Sequence, residues 1–262
     1  GSCPMKYNPR VNEQVARLPG IAHVHPDQPE DSVQGLLGLL HELQTWLVEI
    51  SGFSDVTLQP AAGAHGELVG LMMIRACLDS RGQQHRKKVL VPDSAHGTNP
   101  ASAALCGMYC VELKSGADGR IDLDELKKHL DDDVAALMMT NPNTAGAFES
   151  DIKEICQLVH DAGGLVYGDG ANLNALVGMA RPGDMGLDCL HINVHKTFST
   201  PHGGGGPGAG PVAVNDTLAP FLPVPKIVKD GDVYRVLTQS EQSVGSVLST
   251  IGQTGVYMRA NA

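Results

Sequence analysis

The chain has 262 residues, of which 42% are hydrophobic, and a formal net charge of -10. That length supports a large core in one big domain or two small ones, and the acidic balance argues against nucleic acid as a partner. No apolar run is long enough to span a membrane, the N-terminus reads without a signal-peptide pattern, and the six cysteines at 3, 77, 106, 110, 156 and 189 form no Cys-x-x-Cys pair, so free thiols in a reducing compartment are expected and a zinc site is not.

Residues 1–30 lack clear periodicity and carry Pro4, Pro9, Pro19, Pro26 and Pro29, which predicts an extended arm with one short helical segment. The start at Gly1-Ser2-Cys3, without an initiator Met, reads as a piece of something longer. Residues 31–50 are the first strong helix, because Val33, Leu36, Leu37, Leu40, Leu43, Leu47 and Ile50 recur at helical spacing and Ser51-Gly52 supplies a stop. A short strand over Asp55 to Leu58 leads to the turn Ala62-Gly63-Ala64 and a helix from His65 to Leu78. A small-residue turn opening a helix presents free N–H groups and the positive end of the macrodipole, so it can be a phosphate cup or an ordinary tight turn.

From Lys87 onward strands and helices alternate. Strands are predicted at Val89 to Val91, Cys110 to Leu113, Val134 to Met139, Leu165 to Gly168 and Leu190 to Val194. Helices are predicted over Ala101 to Met108, after Asp122 with Glu125 completing a capping box, and from about Asp151 to Gly163-Gly164. Val212 and Val214 alternate like a strand, Phe221 to Lys229 reads as an extended connection, and Gln242 to Val256 is helix-compatible. The organisation expected is an arm (1–30), a ligand-binding large domain (31–220), and a connection with the start of a truncated C-terminal region (221–262).

Such a βαβ series predicts a mostly parallel sheet with helices on both faces, and ligands bind beyond the carboxyl ends of its strands. His96, Thr144, Asp169 and Lys196 all follow strands at those ends, so positions over 100 residues apart converge on one crevice. Lys196 lies between the apolar run Leu190, Ile192, Val194 and the glycines 203–206, where backbone and a flat ligand can approach closely. The spacing Gly203-x-Gly205-x-x-Gly208 fits a dinucleotide fingerprint, but prolines and a strand follow it instead of a helix, and the glycines come after Lys-Thr rather than before it as in a nucleotide phosphate loop. The reading is a Schiff-base lysine holding pyridoxal phosphate. Asp169, 27 residues earlier, would pair with the ring nitrogen, His96 would stack on the ring, Ala171 would lie beneath it, and the Ala62-Gly63-Ala64 turn would take the phosphate. Taken singly, Lys196 could be a solvated strand-end lysine, Asp169 a cap, and His96 a turn residue.

Ser94-Ala95-His96-Gly97-Thr98-Asn99-Pro100-Ala101-Ser102, Asp169-Gly170-Ala171-Asn172 and Asn193-Val194-His195-Lys196-Thr197-Phe198, with Pro201-His202 and the glycine run to Gly208, resemble glycine dehydrogenase (decarboxylating), the P-protein of the glycine cleavage system. The likeness is to the second subunit of its bacterial two-chain form. It extends to Met5-Lys6-Tyr7-Asn8-Pro9, Ala16 to Gly20, Gln59 to Glu67 and Lys229 to Asp232. The resemblance implies a fold-type I, aspartate-aminotransferase-like architecture, with Lys196, Asp169 and His96 in the roles above; Thr144 and His195 are further candidates for cofactor binding. It implies that glycine loses CO₂ and that the aminomethyl group passes to the lipoyl disulfide of H-protein. It also implies a first subunit as partner, a heterotetramer with two copies of each subunit, and a place in the bacterial cytoplasm. Pro4 departs from the family, which carries Thr there. Another fold-type I enzyme, such as an amino-acid decarboxylase or a desulfurase, and a silent fragment that only assembles with a partner, are the alternatives.

Overall fold

In a computed structural model the structure describes residues 9–201 and 208–262. Pro4, Tyr7, Asn8, His202 and the glycines 203–206 lie outside the described residues. In chain order the elements are α1 (Arg10–Ala16), α2 (Pro19–Ala22), α3 (Gln34–Ser51), β1 (Asp55–Thr57), α4 (Gly63–Ser80), β2 (Lys88–Pro92), α5 (Asn99–Leu105), β3 (Tyr109–Leu113), α6 (Leu123–His129) and β4 (Val134–Thr140). There follow α7 (Ile152–Asp161), β5 (Leu165–Gly170), β6 (Cys189–Ile192), α8 (Val194–Thr197), β7 (Val212–Val214), β8 (Lys226–Asp230), β9 (Val233–Leu237) and α9 (Thr254–Asn261).

One seven-stranded sheet runs in the order β1-β7-β6-β5-β4-β2-β3. β7 lies antiparallel to both β1 and β6, and the other pairings are parallel. β2, β4, β5, β6 and β7 are buried along their whole length, as strands covered on both faces must be. The period of two sorts their side chains into two cores. Leu90, Leu137, Met139, Val166, Leu190, Ile192 and Ala213 pack with Leu37, Leu40 and Leu47 of α3 and Ile155 of α7. Val89, Val91, Ala136, Met138, Leu165, Tyr167, Cys189, Val212 and Val214 pack with Val69, Met73 and Ile74 of α4 and Ala103 of α5. α4 rides close to its face of the sheet because Gly66 has no side chain: a Cβ there would lie 2.7 Å from the Gly210 carbonyl oxygen and 2.9 Å from His191 Cβ.

Several sequence expectations change. The segment after Pro9 holds two short helices, and Arg259 of α9 pairs with Glu13 of α1. The capping box is half formed: Asp122 accepts from the N–H groups of Asp124 and Glu125, while the Glu125 carboxylate turns to Lys128 and His129. Phe221 to Lys229 is not one extended connection: β8 and β9 form a hairpin around Gly231-Asp232, a two-residue turn signal present in the sequence. Gln242 to Val256 is not helical before Thr254. There the Gln59 side-chain carbonyl takes the N–H groups of Val247 and Leu248, and Gly252 sits at φ 131, a conformation a helix cannot contain. Among the described residues no helix is long and apolar enough to cross a membrane, and Cys77, Cys106, Cys110, Cys156 and Cys189 are unbridged.

Candidate functional site

β2, β4, β5 and β6 all end at one edge of the sheet, and α4 starts there. The register puts Thr140, Asp169 and His191 in a lateral row across β4, β5 and β6, at the last turn of the pleat before the strands end. All three face α4, on the side shared by Met138, Tyr167 and Cys189. Beyond that row lies a cleft of about 450 Å³, within the range of small-ligand sites. Ala62, Gly63, Ala64, His96, Thr144, Asp169, Ala171, His195 and Lys196, every candidate residue from the sequence, line it.

Each arrives by a different local device. Ala62 is the N-cap of α4 in extended conformation, without a side-chain cap, so the first turn presents its backbone N–H groups to the cleft. A Cβ on Gly63 would lie 2.5 Å from Asn193 Oδ1, so only glycine lets that turn meet the start of α8. Asp169 lies inside β5 rather than beyond it, is 3% exposed, and accepts from the Ala171 N–H at 2.9 Å. Lys196 is half-buried in the single turn of α8, and its side chain makes no hydrogen bond or ion pair among the described residues. Ser199, three residues on, has φ 56, a left-handed conformation uncommon outside glycine. His195 is buried with Nδ1 3.3 Å from the Ala209 carbonyl. Thr144 donates its hydroxyl to the Ser94 carbonyl at 2.6 Å, tying the loop after β4 to the loop after β2. His96 stands exposed on that second loop with Nδ1 2.8 Å from Thr98 Oγ1.

The cleft also holds residues that the sequence reading left without a role: Glu67, Thr98, Thr140, Asn172, His191 and Asn193. His191 is flanked by the Tyr167 hydroxyl and the Asn193 amide, with Nε2 3.5 Å from Asp169 Oδ1. Burial lowers its pKa against the opposing pull of Asp169, which favours the uncharged imidazole. Burial also pushes the Glu67 carboxyl up to about 7, Thr98 and Lys196 acting against this and Asp169 with it. Thr140 Oγ1 is buried without a hydrogen-bond partner among the described residues. Ligand-type atoms of Glu67, Asp169 and His191 lie within 4.8 Å of one another. A signal for two of these was available: Glu67 follows Gly63 by one helical turn, and His191 alternates with Leu190 and Ile192, which puts it on the opposite face of the strand.

Comparison with known proteins places this geometry in a family. The model for "Glycine cleavage system P-protein" matches residues 8–233. A probable glycine dehydrogenase (decarboxylating) subunit 2 from Thermosipho melanesiensis is 58% identical over 260 residues, covering 99% of this chain and 54% of the relative. Its counterpart from Alkaliphilus oremlandii is 57% identical, covering 99% and 54%. The chain thus spans about half the length of the curated relatives it matches. A crystal structure of glycine decarboxylase (P-protein) of the glycine cleavage system, in inhibitor-bound form, aligns with a TM-score of 0.79 at 22% identity, covering 97% of this chain and 59% of that one. At that identity the likeness is one of fold, and the fold-type I architecture expected from the sequence is the one the chain adopts.

Proposed function

The chain belongs to the glycine cleavage system P-protein family, and on that premise we propose that it is the cofactor-bearing part of a pyridoxal-phosphate-dependent glycine dehydrogenase. Glycine is the substrate, and the aminomethyl group left by decarboxylation passes to the lipoyl group of H-protein. The relatives are named as second subunits, so the partner is a first subunit, in a heterotetramer of the bacterial cytoplasm. The cofactor-binding unit is residues 31–220.

The observation that carries this reading is a half-buried lysine whose side chain has no hydrogen-bond or ion-pair partner among the described residues, in a cleft shared with a buried carboxylate and an uncapped helix start. Those features suit pyridoxal phosphate. Lys196 Nζ would hold its aldehyde carbon. The Asp169 carboxylate would keep the ring nitrogen protonated, a charge-assisted bond of roughly 1.5–3 kcal/mol. The N–H groups at Ala62, Gly63 and Ala64, with the α4 dipole, would hold the phosphate. His96 would cover one face of the ring and Ala171 the other, while Thr144 and His195 complete the walls. The unpartnered Thr140 hydroxyl leaves polar capacity for such a group. When bound, the cofactor supplies an electron sink for the pair left behind as CO₂ departs. The protein's part is to orient the substrate, hold the Asp169 carboxyl in place beside His191, and exclude water.

The test is to add pyridoxal phosphate to the chain and record visible absorption, then to measure bicarbonate–glycine carboxyl exchange with the first subunit and H-protein present. Both signals are expected, and Lys196→Ala is expected to remove both. Absorption that survives Lys196→Ala would rule out the assignment.

A further inference from the structure

Three side chains link the inner wall of the cleft to its rim. Glu67, on the first turns of α4 and 4% exposed, has Oε2 2.6 Å from Thr98 Oγ1. Thr98 Oγ1 is in turn 2.8 Å from His96 Nδ1, and the Thr98 backbone N–H points at the same nitrogen from 3.3 Å. We propose that Glu67 is a positioning residue that sets the tautomer and orientation of His96 through the Thr98 hydroxyl. The inference rests on the proposed cofactor reading for its consequence, because His96 is the group assigned there to cover the ring.

Two heavy atoms 2.8 Å apart need a proton between them, and a hydroxyl has only one to give. With Glu67 ionised, the Thr98 O–H donates to the carboxylate, and its oxygen must accept from His96 Nδ1–H. With Glu67 protonated, the carboxylic acid donates to Thr98, whose own O–H is free to donate to an unprotonated Nδ1. The Thr98 N–H then also finds an acceptor, and the ring proton sits on Nε2. One proton gained or lost at a buried carboxyl therefore reverses the donor and acceptor edges of an exposed ring 29 positions along the chain (96 − 67). The charged and titratable groups facing Glu67 are Asp169 and Tyr167 of β5, His191 of β6, Lys196 of α8 and His96 itself. Asp169 favours the protonated arrangement and Lys196 the ionised one, so the balance is set inside the cleft and would shift when Lys196 changes charge. Otherwise an imidazole on an exposed loop would sample several rotamers; the relay holds it to one.

The experiment follows the imidazole nitrogens of His96 by ¹⁵N NMR in the full chain, assigned by their loss in His96→Asn, from about pH 6 to about pH 8. In wild type the proton of the uncharged ring is expected to move from Nε2 to Nδ1 as pH rises. In Glu67→Gln, and independently in Thr98→Val, which alters no charge, the ratio of the two tautomers is expected to stop depending on pH. Affinity for pyridoxal phosphate, read from visible absorption, is expected to weaken about tenfold in Thr98→Val. The same pH-dependent ratio in all three proteins, or a pH-independent ratio in wild type, would overturn the relay, and unchanged affinity would overturn its positioning role. If wild type gives no visible absorption with the cofactor, the cofactor reading fails, and the tautomer measurement still decides the relay by itself.

Discussion

Strands β5 and β6 bury a carboxylate beside a histidine at each of their two ends, and the surroundings treat the two pairs in opposite ways. At the amino-terminal end, Asp188 accepts from Val166 N–H at 2.6 Å and Asn215 Nδ2 at 2.7 Å, and it pairs with His160 Nε2 at 2.7 Å. That carboxylate has its bonding capacity filled, and its hydrogen bond raises the pKa of His160 above the ordinary 6.5. At the carboxyl-terminal end, Asp169 accepts from Ala171 and stands 3.5 Å from a histidine whose pKa burial lowers. Its remaining capacity faces the cleft. A saturated acid–histidine pair stitches β5, β6 and α7 together, while the other leaves carboxylate capacity facing the cleft.

The largest effect that sharpens this contrast is expected from Asp169→Ala. Turnover of the assembled enzyme should fall roughly a thousandfold, about 4 kcal/mol in the barrier, while the unfolding free energy of the chain moves by less than about 1 kcal/mol. Near-normal turnover in that variant would remove Asp169 from the mechanism and break the comparison at its functional end. Asp188→Ala should do the reverse. Chemical denaturation is expected to show a loss of about 3–4 kcal/mol, because two hydrogen-bond donors and a histidine lose their common partner, with turnover per folded molecule retained.

Glu67 is the third test. Its carboxyl is raised from 4.5 to about 7, so the folded state holds the proton more tightly than the unfolded chain. Stability therefore falls as pH rises from 4.5 through about 7, and the full cost is present above that. Glu67→Gln should stabilise the chain by ~2–3 kcal/mol above neutrality and leave it unchanged near pH 4, as read from denaturant midpoints at the two pH values. The smallest effect belongs to His160→Gln. A raised histidine contributes stability that is whole below 6.5 and lost as pH rises through its folded value. The variant should cost more at pH 6 than at pH 9, by under about 1 kcal/mol, since the ring is partly solvated. An equal cost at both pH values would mean the ion pair contributes nothing beyond packing.

The site was more legible than its supporting shell. Lys196, Asp169, His96 and Thr144 could be placed because each follows an apolar run in a βαβ series, and the parallel sheet brings such ends together. Glu67 and His191 were not assigned, because a buried polar residue carries no mark in the sequence of what it faces. Glu67 finds Thr98 across 31 positions, and His191 finds Tyr167 across 24. The β8–β9 hairpin was missed for another reason: its Gly231-Asp232 turn is short, and Pro223 and Pro225 just before it suggested an irregular connection.

Local periodicity and turn chemistry thus determined, from the sequence by itself, the strands and helices of the βαβ series and the residues at its strand ends, because those depend on neighbours three or four positions away. The tertiary structure alone decided that β7 turns antiparallel between β1 and β6, that Thr140, Asp169 and His191 share one row, and that a glutamate inside α4 reaches a threonine on a distant loop. Those outcomes depend on register and on burial in a low-dielectric interior, and both are fixed only when segments far apart in the chain pack together.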